Sequence, residues 1–351
     1  MRARQQVTAP GARRTKVART STTTAIFVPV PAAWFSCGAA AWSGRERGTD
    51  MVSVVIAAHD EAAVIERCLS ALWAQEGVAD LQVVVVANGC HDDTAAVAGR
   101  AGATVIDLPE PGKSAALVVG DAAARGFPRI YLDADIVLPP NALAAAEQVF
   151  ADDPGVLAAA PRRHVVTAGS STLVRAYMAV SSRLPAYRNS LFGRGMIVLS
   201  ENGRRRFDRF PGVVADDLFL DSLYSFEEKR PIDSVDVGIV APATTSALLR
   251  RLVRVRRGNA DLRGSSRSPR PGPDTVGTTS QVRGSDRLAW LTEVVAPEPR
   301  LVPAGIVYVC LTTLAAVLAR LGARRAVRWG QDTTARHTSD ATSTSGPGTS
   351  S

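Results

Sequence analysis

Aromatic residues, cysteine and histidine are all scarce in this chain. Phe, Trp and Tyr make up 5% of the 351 residues, and no nucleic-acid recognition motif accompanies them, so we expect no nucleic-acid partner. The cysteines lie too far apart for a CxxC pair, which predicts free thiols in a reducing compartment. They are Cys37, Cys68, Cys90 and Cys310. The four histidines lack the spacing of metal ligands, so we predict no zinc site. They are His59, His91, His164 and His337.

Positive charge is concentrated near the N-terminus rather than spread over the chain. Residues 1–50 hold eight Arg or Lys against Glu46 and Asp50, which accounts for most of the formal net charge of +8. The rest is close to neutral, so the basic pI carries little information about a functional site. Because residues 1–50 show no hydrophobic period, we predict a disordered basic tail. A secretory signal with the loose twin-arginine pair Arg13-Arg14 is the alternative.

From Met51 onward, apolar segments alternate with amphipathic ones. Runs such as 52–58 and 81–86 are too rich in Val and Ile for half-exposed strands, and are typical of strands covered on both faces. Helical periods lie between them, for example over 60–75 and 114–125. This alternation predicts an α/β fold with a doubly wound, mostly parallel, Rossmann-like sheet that has helices on both faces.

Polar side chains follow several of these strands. Asp133-Ala134-Asp135 comes directly after the strand predicted at 129–132, while Asp60 and Asn88 follow the first two strands. Ligands bind such sheets beyond the carboxyl ends of the strands. Two carboxylates one residue apart suit a hard divalent cation, which takes oxygen ligands and often shares them with phosphate groups. The sequence therefore predicts a metal and phosphate site at this edge.

Five motifs occur in a fixed order between residues 52 and 258. They are Val52–Glu61, the NGCHDDT segment Asn88–Thr94, Gly112-Lys113, Asp133-Ala134-Asp135 and Asp216-Asp217. Their order and spacing resemble family 2 of the glycosyltransferases, which have a GT-A fold. The resemblance implies a transferase that moves a sugar from a nucleoside diphosphate sugar to an acceptor hydroxyl, with inversion and with Mg²⁺ or Mn²⁺. The resemblance does not identify the acceptor, which is a glycan, a lipid or a small molecule.

The resemblance also implies roles for single residues. Asp133 and Asp135 match the motif that binds the metal and the donor diphosphate, with Asp135 nearer the metal. Asp217 matches the general base that deprotonates the acceptor, and Asp216 caps a helix or contacts the acceptor. The residues expected to contact the nucleotide are Asp60, Glu61, Asn88, Lys113, Asp133, Arg254 and Arg257. For the acidic residues, turns and helix N-termini are the structural alternative.

The chain departs from the family pattern at two positions. Ala87-Asn88-Gly89-Cys90 stands where relatives carry Asp-Asp-Gly-Ser, so the preferred nucleobase stays open. Arg251–Val255 stands where processive relatives carry Gln-x-x-Arg-Trp, and the missing Trp disfavours a polymer-extending synthase. Gly112-Lys113-Ser114 lacks the earlier glycine of a P-loop, because Asp107 occupies that position, which disfavours an NTPase.

Two other function classes are alternatives. A non-catalytic sugar-nucleotide binder or membrane scaffold is compatible with the altered motifs. A sugar nucleotidyltransferase shares the sheet and the metal carboxylates. That enzyme needs a glycine-rich loop after the first strand, whereas His59-Asp60-Glu61-Ala62 contains no glycine.

Residues 301–319 contain no charged side chain, and Arg300 and Arg320 flank them. The length is marginal for a membrane span. A span would also place the arginine-rich segment after Arg320 opposite a cytoplasmic catalytic domain, against the positive-inside tendency. We therefore favour a helix on the inner face of the cell membrane, in an enzyme of the cell envelope, over a span. A buried packing helix is the alternative.

These observations predict five segments. A disordered basic tail over 1–50 precedes a GT-A catalytic domain over 51–258. A flexible linker over 259–284 then leads to a helical, membrane-associated segment over 285–330, and 331–351 is a disordered tail.

Overall fold

The computed structural model describes residues 51–212, 215–265 and 288–321. The predicted tails 1–50 and 331–351 lie outside the described residues, as does most of the predicted linker. The alternative of a secretory signal concerns the same residues 1–50 and also lies outside the described residues.

A seven-stranded mixed sheet forms the centre of the molecule, with strand order β3-β2-β1-β4-β6-β5-β7. The strands are β1 Met51–Ala58, β2 Asp80–Asn88, β3 Thr104–Leu108, β4 Arg129–Leu132, β5 Ala158–Val166, β6 Met196–Leu199 and β7 Lys229–Val240. The first four are parallel, β6 runs antiparallel to β4 and β5, and β7 is parallel to β5. The prediction of a mostly parallel sheet is confirmed.

Nine α-helices surround this sheet in the described part of the chain. They are α1 Ile65–Trp73, α2 Thr94–Arg100, α3 Lys113–Ala123, α4 Ala142–Asp152, α5 Thr172–Ser181, α6 Glu201–Arg204, α7 Asp216–Ser222, α8 Thr245–Ser265 and α9 Val302–Leu321. Because successive side chains of a strand point to opposite faces, Val54 and Ile56 of β1 pack with α1, whereas Val55 packs with α3. Both faces of the sheet are covered, as predicted.

The antiparallel strand β6 brings a second segment to the edge where β4 ends. Leu132 pairs with Met196, and the Asp133 backbone N–H donates to the Gly195 carbonyl at 2.8 Å. The start of β6 therefore lies beside the carboxyl end of β4. Gly195 has φ +72°, and a Cβ there would lie 2.5 Å from the Ile136 side chain, so this close approach requires glycine.

A buried ionic network joins α3, β4 and α6. The Asp121 carboxylate accepts from Arg129 at 2.6 Å, from Arg204 at 2.6 Å and from the Tyr131 hydroxyl at 2.7 Å. Arg129 is 1% exposed. Burial alone would raise the pKa of Asp121, but the two guanidinium groups hold it below its usual value. The network fixes α3, whose first residue is Lys113.

The helices at the C-terminal end differ in part from the prediction. Helix α8 continues to Ser265, so the predicted linker boundary at 258 falls inside a helix. Helix α9 is confirmed as a helix and packs on α5 and α8, with Gly305, Leu311 and Ala315 buried. Half of the residues of α9 are exposed, so the helix packs against the protein along one side.

The exposed face of α9 is apolar. Ile306 is 61% exposed, and Leu314, Val317 and Leu318 are also exposed. Residues Pro299–Leu321 are long and apolar enough to cross a membrane by length and composition, and 17% of the most apolar window is buried.

Candidate active site

A small cleft of about 50 Å³, open to solvent, lies where β4 ends and β6 begins. Four of the predicted site residues line it: Lys113, Asp133, Asp216 and Asp217. Lys113 begins α3, Asp133 follows β4, and the two other acids begin α7. The fold thus brings three distant motifs of the sequence into one cleft. The prediction from converging strand ends concerned Asp60, Asn88 and Asp133, and of these three Asp133 lines the cleft.

Lys113 joins the two acidic motifs directly. Its Nζ lies 3.0 Å from Asp133 Oδ1 and 3.1 Å from Asp216 Oδ2. Burial alone would lower the pKa of this ammonium, but the two carboxylates raise it above the usual value for lysine. Lys113 is therefore a fixed positive charge in the cleft.

Asp216 is the more enclosed of the two acids at the start of α7. Burial, together with the negative charges of Asp217 and Asp133, raises its pKa to about 6, although Lys113 opposes this shift. Through its ion pair with Lys113, Asp216 positions the lysine side chain in the cleft.

Asp217 is held by backbone groups on both of its oxygens. Oδ1 accepts from the Leu218 N–H at 2.8 Å, and Oδ2 accepts from the Gly193 N–H at 3.1 Å. The side chain is half-buried and lines the cleft. A carboxylate fixed in this way beside open space has the geometry of a proton acceptor for a bound hydroxyl group.

Asp135 is exposed, two residues beyond the half-buried Asp133. Partial desolvation and the charge of Asp133 raise the pKa of Asp135, while Arg251 of α8 and Lys113 lower it. The two carboxylates therefore influence each other. Two carboxylates at a solvent-open edge form a donor set that fits Mg²⁺ or Mn²⁺.

Asn88 and Glu61 are buried near the ends of β2 and β1. Asn88 is 0% exposed; its Nδ2 donates to the Ala58 carbonyl at 2.8 Å, and its Oδ1 accepts from the Gly112 N–H at 2.9 Å. Its amide therefore positions the loop before Lys113. Glu61 is 2% exposed, and Asp60 is half-buried. The nucleotide contacts of these three residues stay predictions.

The predicted arginines both lie on α8. Arg257 Nη2 lies 3.4 Å from the Leu318 carbonyl of α9, so Arg257 faces that helix, and its contact with the diphosphate stays a prediction. Arg254 is half-buried on α8, and its role stays a prediction. Arg251, which the sequence interpretation did not assign to the site, is the arginine whose charge acts on Asp135.

The sequence analysis did not identify two further arginines near the cleft. Arg194 lines the cleft, and burial lowers its pKa to about 10. Arg163 lies over the Tyr187 ring at 3.6 Å and donates to the Gly193 carbonyl at 3.1 Å. The one sequence signal was the placement of Arg194 between two glycines. Both arginines add positive charge on the Asp217 side of the cleft.

A second cluster of side chains lies where β1 and β2 end. The ligand atoms of His59, Asp60 and Cys90 all lie within 4.8 Å of one another, so these three residues could hold a metal ion. The prediction of no zinc site was made from the spacing of the histidines along the chain. That spacing contains no information about Cys90, which two parallel strands bring close to His59.

Residues 53–200 match the glycosyl transferase family 2 model. This family 2 segment contains Lys113, Asp133 and Asp135, and it ends shortly before α7. No curated protein matches the sequence.

Three solved structures are similar to this chain to different degrees. The mannosyltransferase PcManGT from Pyrobaculum calidifontis, in complex with GDP-Man and Mn²⁺, has a TM-score of 0.51 and 20% identity, covering 83% of this chain and 84% of that one. Glucosyl-3-phosphoglycerate synthase from Mycobacterium tuberculosis has a TM-score of 0.40 and 21% identity, covering 54% and 71%. The 1–349 fragment of S. aureus TarS in complex with UDP has a TM-score of 0.43 and 15% identity, covering 81% of this chain and 95% of the fragment. The likeness to PcManGT confirms the GT-A fold.

Proposed function

We propose that this chain is a glycosyltransferase that moves a sugar from a nucleoside diphosphate sugar to an acceptor hydroxyl, with Mg²⁺ or Mn²⁺ and with inversion. The observation that carries the proposal is the meeting of Lys113, Asp133, Asp216 and Asp217 in one cleft, next to the segment that matches family 2. The GDP-Man and Mn²⁺ named for the PcManGT structure support this donor class and this metal.

The donor end of the site is the edge of β4. Asp133 and Asp135 would hold the cation, which supplies positive charge to the departing diphosphate when it is bound. Lys113 lies 3.0 Å from Asp133 and stays charged, so it can bind phosphate oxygens in the same place. Arg251 adds a second positive charge near Asp135.

The acceptor end of the site is Asp217. Its two backbone hydrogen bonds fix the carboxylate at the cleft, where it takes the proton of the acceptor hydroxyl. The acceptor oxygen then forms a bond to the anomeric carbon as the bond from that carbon to the diphosphate oxygen breaks. Since this is one displacement from the face opposite the leaving group, the anomeric configuration inverts.

A screen of sugar nucleotides tests the proposed function. With Mn²⁺ present, we expect at least one donor to be hydrolysed slowly or transferred to a hydroxyl acceptor, and the released sugar to have the inverted anomeric configuration by NMR. A retained configuration would contradict the single displacement. An absence of turnover and of binding with every donor would contradict the function.

We also propose that α9 attaches the protein to the inner face of the cell membrane. Its exposed apolar face lies between Arg300 and Arg320, and the sequence continues with Arg324, Arg325 and Arg328. Apolar side chains flanked by arginines match the boundary of a bilayer that contains anionic lipids. The protein would then be cytoplasmic with its cleft near the membrane surface.

Vesicle flotation tests this attachment. We expect the full chain to float with anionic phospholipid vesicles, and the triple variant I306D/L314D/L318D to bind at least about a hundredfold more weakly, because each buried aliphatic side chain contributes about 1.5–3 kcal/mol. Phe226→Asp changes another exposed apolar residue, remote in sequence from α9, and serves as the matched control. Equal flotation of the triple variant and this control would overturn the proposal.

A further inference from the structure

We propose that His59, Asp60, Cys90 and His91 form a zinc site that is separate from the carboxylates of the cleft. An imidazole nitrogen, a carboxylate oxygen and a thiol sulfur of the first three residues lie within 4.8 Å of one another. Donor atoms around one tetrahedral zinc ion lie about 3.5 Å apart, which follows from bond lengths of about 2.0–2.3 Å. Side-chain movements of roughly an ångström therefore bring these atoms to zinc distances.

The backbone turns these side chains toward each other. Among the described residues, Asp60 is the only non-glycine with a positive φ, +54°. Cys90 follows Gly89, whose φ is +59° and whose missing Cβ would lie 2.5 Å from the Pro111 nitrogen. A residue such as Asp in a left-handed conformation carries a strain cost, which folds retain most often at functional sites. The strain at Asp60 points to a function for this turn beyond connecting β1 with α1.

His59 has its ring orientation and its tautomer fixed by the fold. Its Nδ1 lies 2.8 Å from the Asn88 carbonyl oxygen, and a carbonyl only accepts, so Nδ1–H is the donor. In the neutral ring the lone pair then lies on Nε2, which is 3.7 Å from Asp60 Oδ2. A histidine that donates one ring N–H to a backbone carbonyl and directs the other nitrogen to a metal is the usual arrangement of zinc sites. His59 is also buried, so this geometry is held before any metal arrives.

His91 provides the fourth donor and the access route. Its Nδ1 lies 3.7 Å from Asp60 Oδ2, and its side chain is 84% exposed. The His91 backbone N–H donates to Asp60 Oδ1 at 2.7 Å, which holds the carboxylate between the two rings. The His59 and His91 ring centres are 6.3 Å apart, about an ångström more than for two rings bound to one tetrahedral zinc ion, so the exposed His91 ring moves inward to bind.

The donor types distinguish this site from the cleft carboxylates. Imidazole and thiolate ligands favour Zn²⁺ over Mg²⁺ and Mn²⁺, whereas carboxylate oxygens at Asp133 and Asp135 favour the harder cations. When zinc binds, the Cys90 thiol releases its proton to solvent, and the thiolate becomes the ligand. The two sites therefore select different metals from a mixture.

Zinc at this position has a consequence that rests on the proposed function. Asp60 is one of the residues predicted to contact the nucleotide, so a zinc ion that engages it competes with the donor. We expect Zn²⁺ to weaken donor binding in the wild-type chain and to have no such effect in a Cys90→Ser variant.

Cobalt and zinc titrations of the metal-free full chain test the site without any sugar nucleotide. We expect one Co²⁺ per chain to produce a thiolate-to-cobalt charge-transfer band that Zn²⁺ removes. Cys90→Ser should abolish the band and lower the zinc affinity at least about tenfold, and His59→Gln should lower it similarly. Cys310→Ser is the matched control, since Cys310 is an exposed thiol on α9, and it should change neither quantity.

The exposed His91 provides a variant that leaves the buried structure untouched. His91→Asn should retain the wild-type thermal midpoint and bind zinc at least about tenfold more weakly. A charge-transfer band that persists in Cys90→Ser, or wild-type zinc affinity in both Cys90→Ser and His91→Asn, would overturn the site. If the variants weaken zinc binding as expected but the protein binds no sugar nucleotide, the zinc site is supported and only the proposed glycosyl transfer is contradicted.

Discussion

Replacing Asp217 by Asn is expected to lower the turnover number by about 10²–10⁴-fold, the usual contribution of a general base. The amide has the same shape but cannot take a proton. Asn Oδ1 can still accept one of the two backbone hydrogen bonds that hold Asp217, so the start of α7 should remain in place. Because Asp217 acts on the acceptor, we expect the KM for the donor to stay nearly unchanged.

Initial rates at saturating donor, together with donor binding by calorimetry, separate these effects. Asp233→Asn makes the same chemical change at an exposed position on β7 and should retain wild-type activity. An unchanged turnover number in Asp217→Asn would remove the proton acceptor from the proposed mechanism. If Asp217→Asn and Asp233→Asn bind the donor equally and neither shows turnover, the protein is a non-catalytic sugar-nucleotide binder, which is the alternative function.

Replacing Asp121 by Ala is expected to cost about 3–5 kcal/mol of the free energy of unfolding, the usual cost of breaking a buried ion pair. The change leaves the buried guanidinium groups of Arg129 and Arg204 without their counter-charge, and it removes the acceptor of the Tyr131 hydroxyl. Urea denaturation followed by circular dichroism measures this loss.

An exposed ion pair provides the control for Asp121. Asp153 lies 3.2 Å from Arg230, and both side chains are exposed. Exposed pairs contribute about 0–1 kcal/mol, so Asp153→Ala should change stability little. Equal losses in the two variants would contradict the structural role of the buried network.

The Asp121 network also predicts a direction for acid unfolding. The folded state holds the pKa of Asp121 below its usual value, so the unfolded state binds the proton more readily. The stabilisation is therefore present above the usual aspartate pKa and is lost as pH falls through the lower, folded value. We expect the wild-type chain to lose stability more steeply with falling pH than Asp121→Asn, measured by thermal unfolding between neutral and acidic pH.

Local patterns were sufficient to predict the fold and the position of the Asp133 and Asp135 carboxylates at the edge of the sheet. Apolar runs such as 83–86 specify buried parallel strands whatever surrounds them, and a carboxylate pair directly after β4 must lie at the ligand-binding edge. The ion pairs of Lys113 with Asp133 and Asp216 depend instead on strand order and on how α7 returns to the sheet. No pattern within one segment contains that information.

The surroundings of three further residues could not be predicted from the sequence, for physical reasons. Asn88 occupies a position at a ligand-binding edge, but its amide satisfies backbone groups of β1 and of the loop before α3. Arg257 is six residues beyond Arg251, which at about 100° per residue places it on a different face of α8. His59 and Cys90 are far apart in sequence and meet only because β1 and β2 are adjacent and parallel.

The role of the β4 carboxylates is tested most directly by calorimetric titration of nucleoside diphosphate into the full chain, with and without Mn²⁺. Both UDP and GDP are titrated, because the sequence does not determine which nucleobase the protein prefers. We expect Mn²⁺ to strengthen the binding of at least one of them by about tenfold or more in the wild-type chain, and to have no effect in Asp135→Asn, since a metal that loses one of two carboxylate ligands binds weakly. Wild-type affinity that is the same with and without Mn²⁺, or full Mn²⁺ dependence in Asp135→Asn, would contradict a diphosphate held through a cation at Asp133 and Asp135.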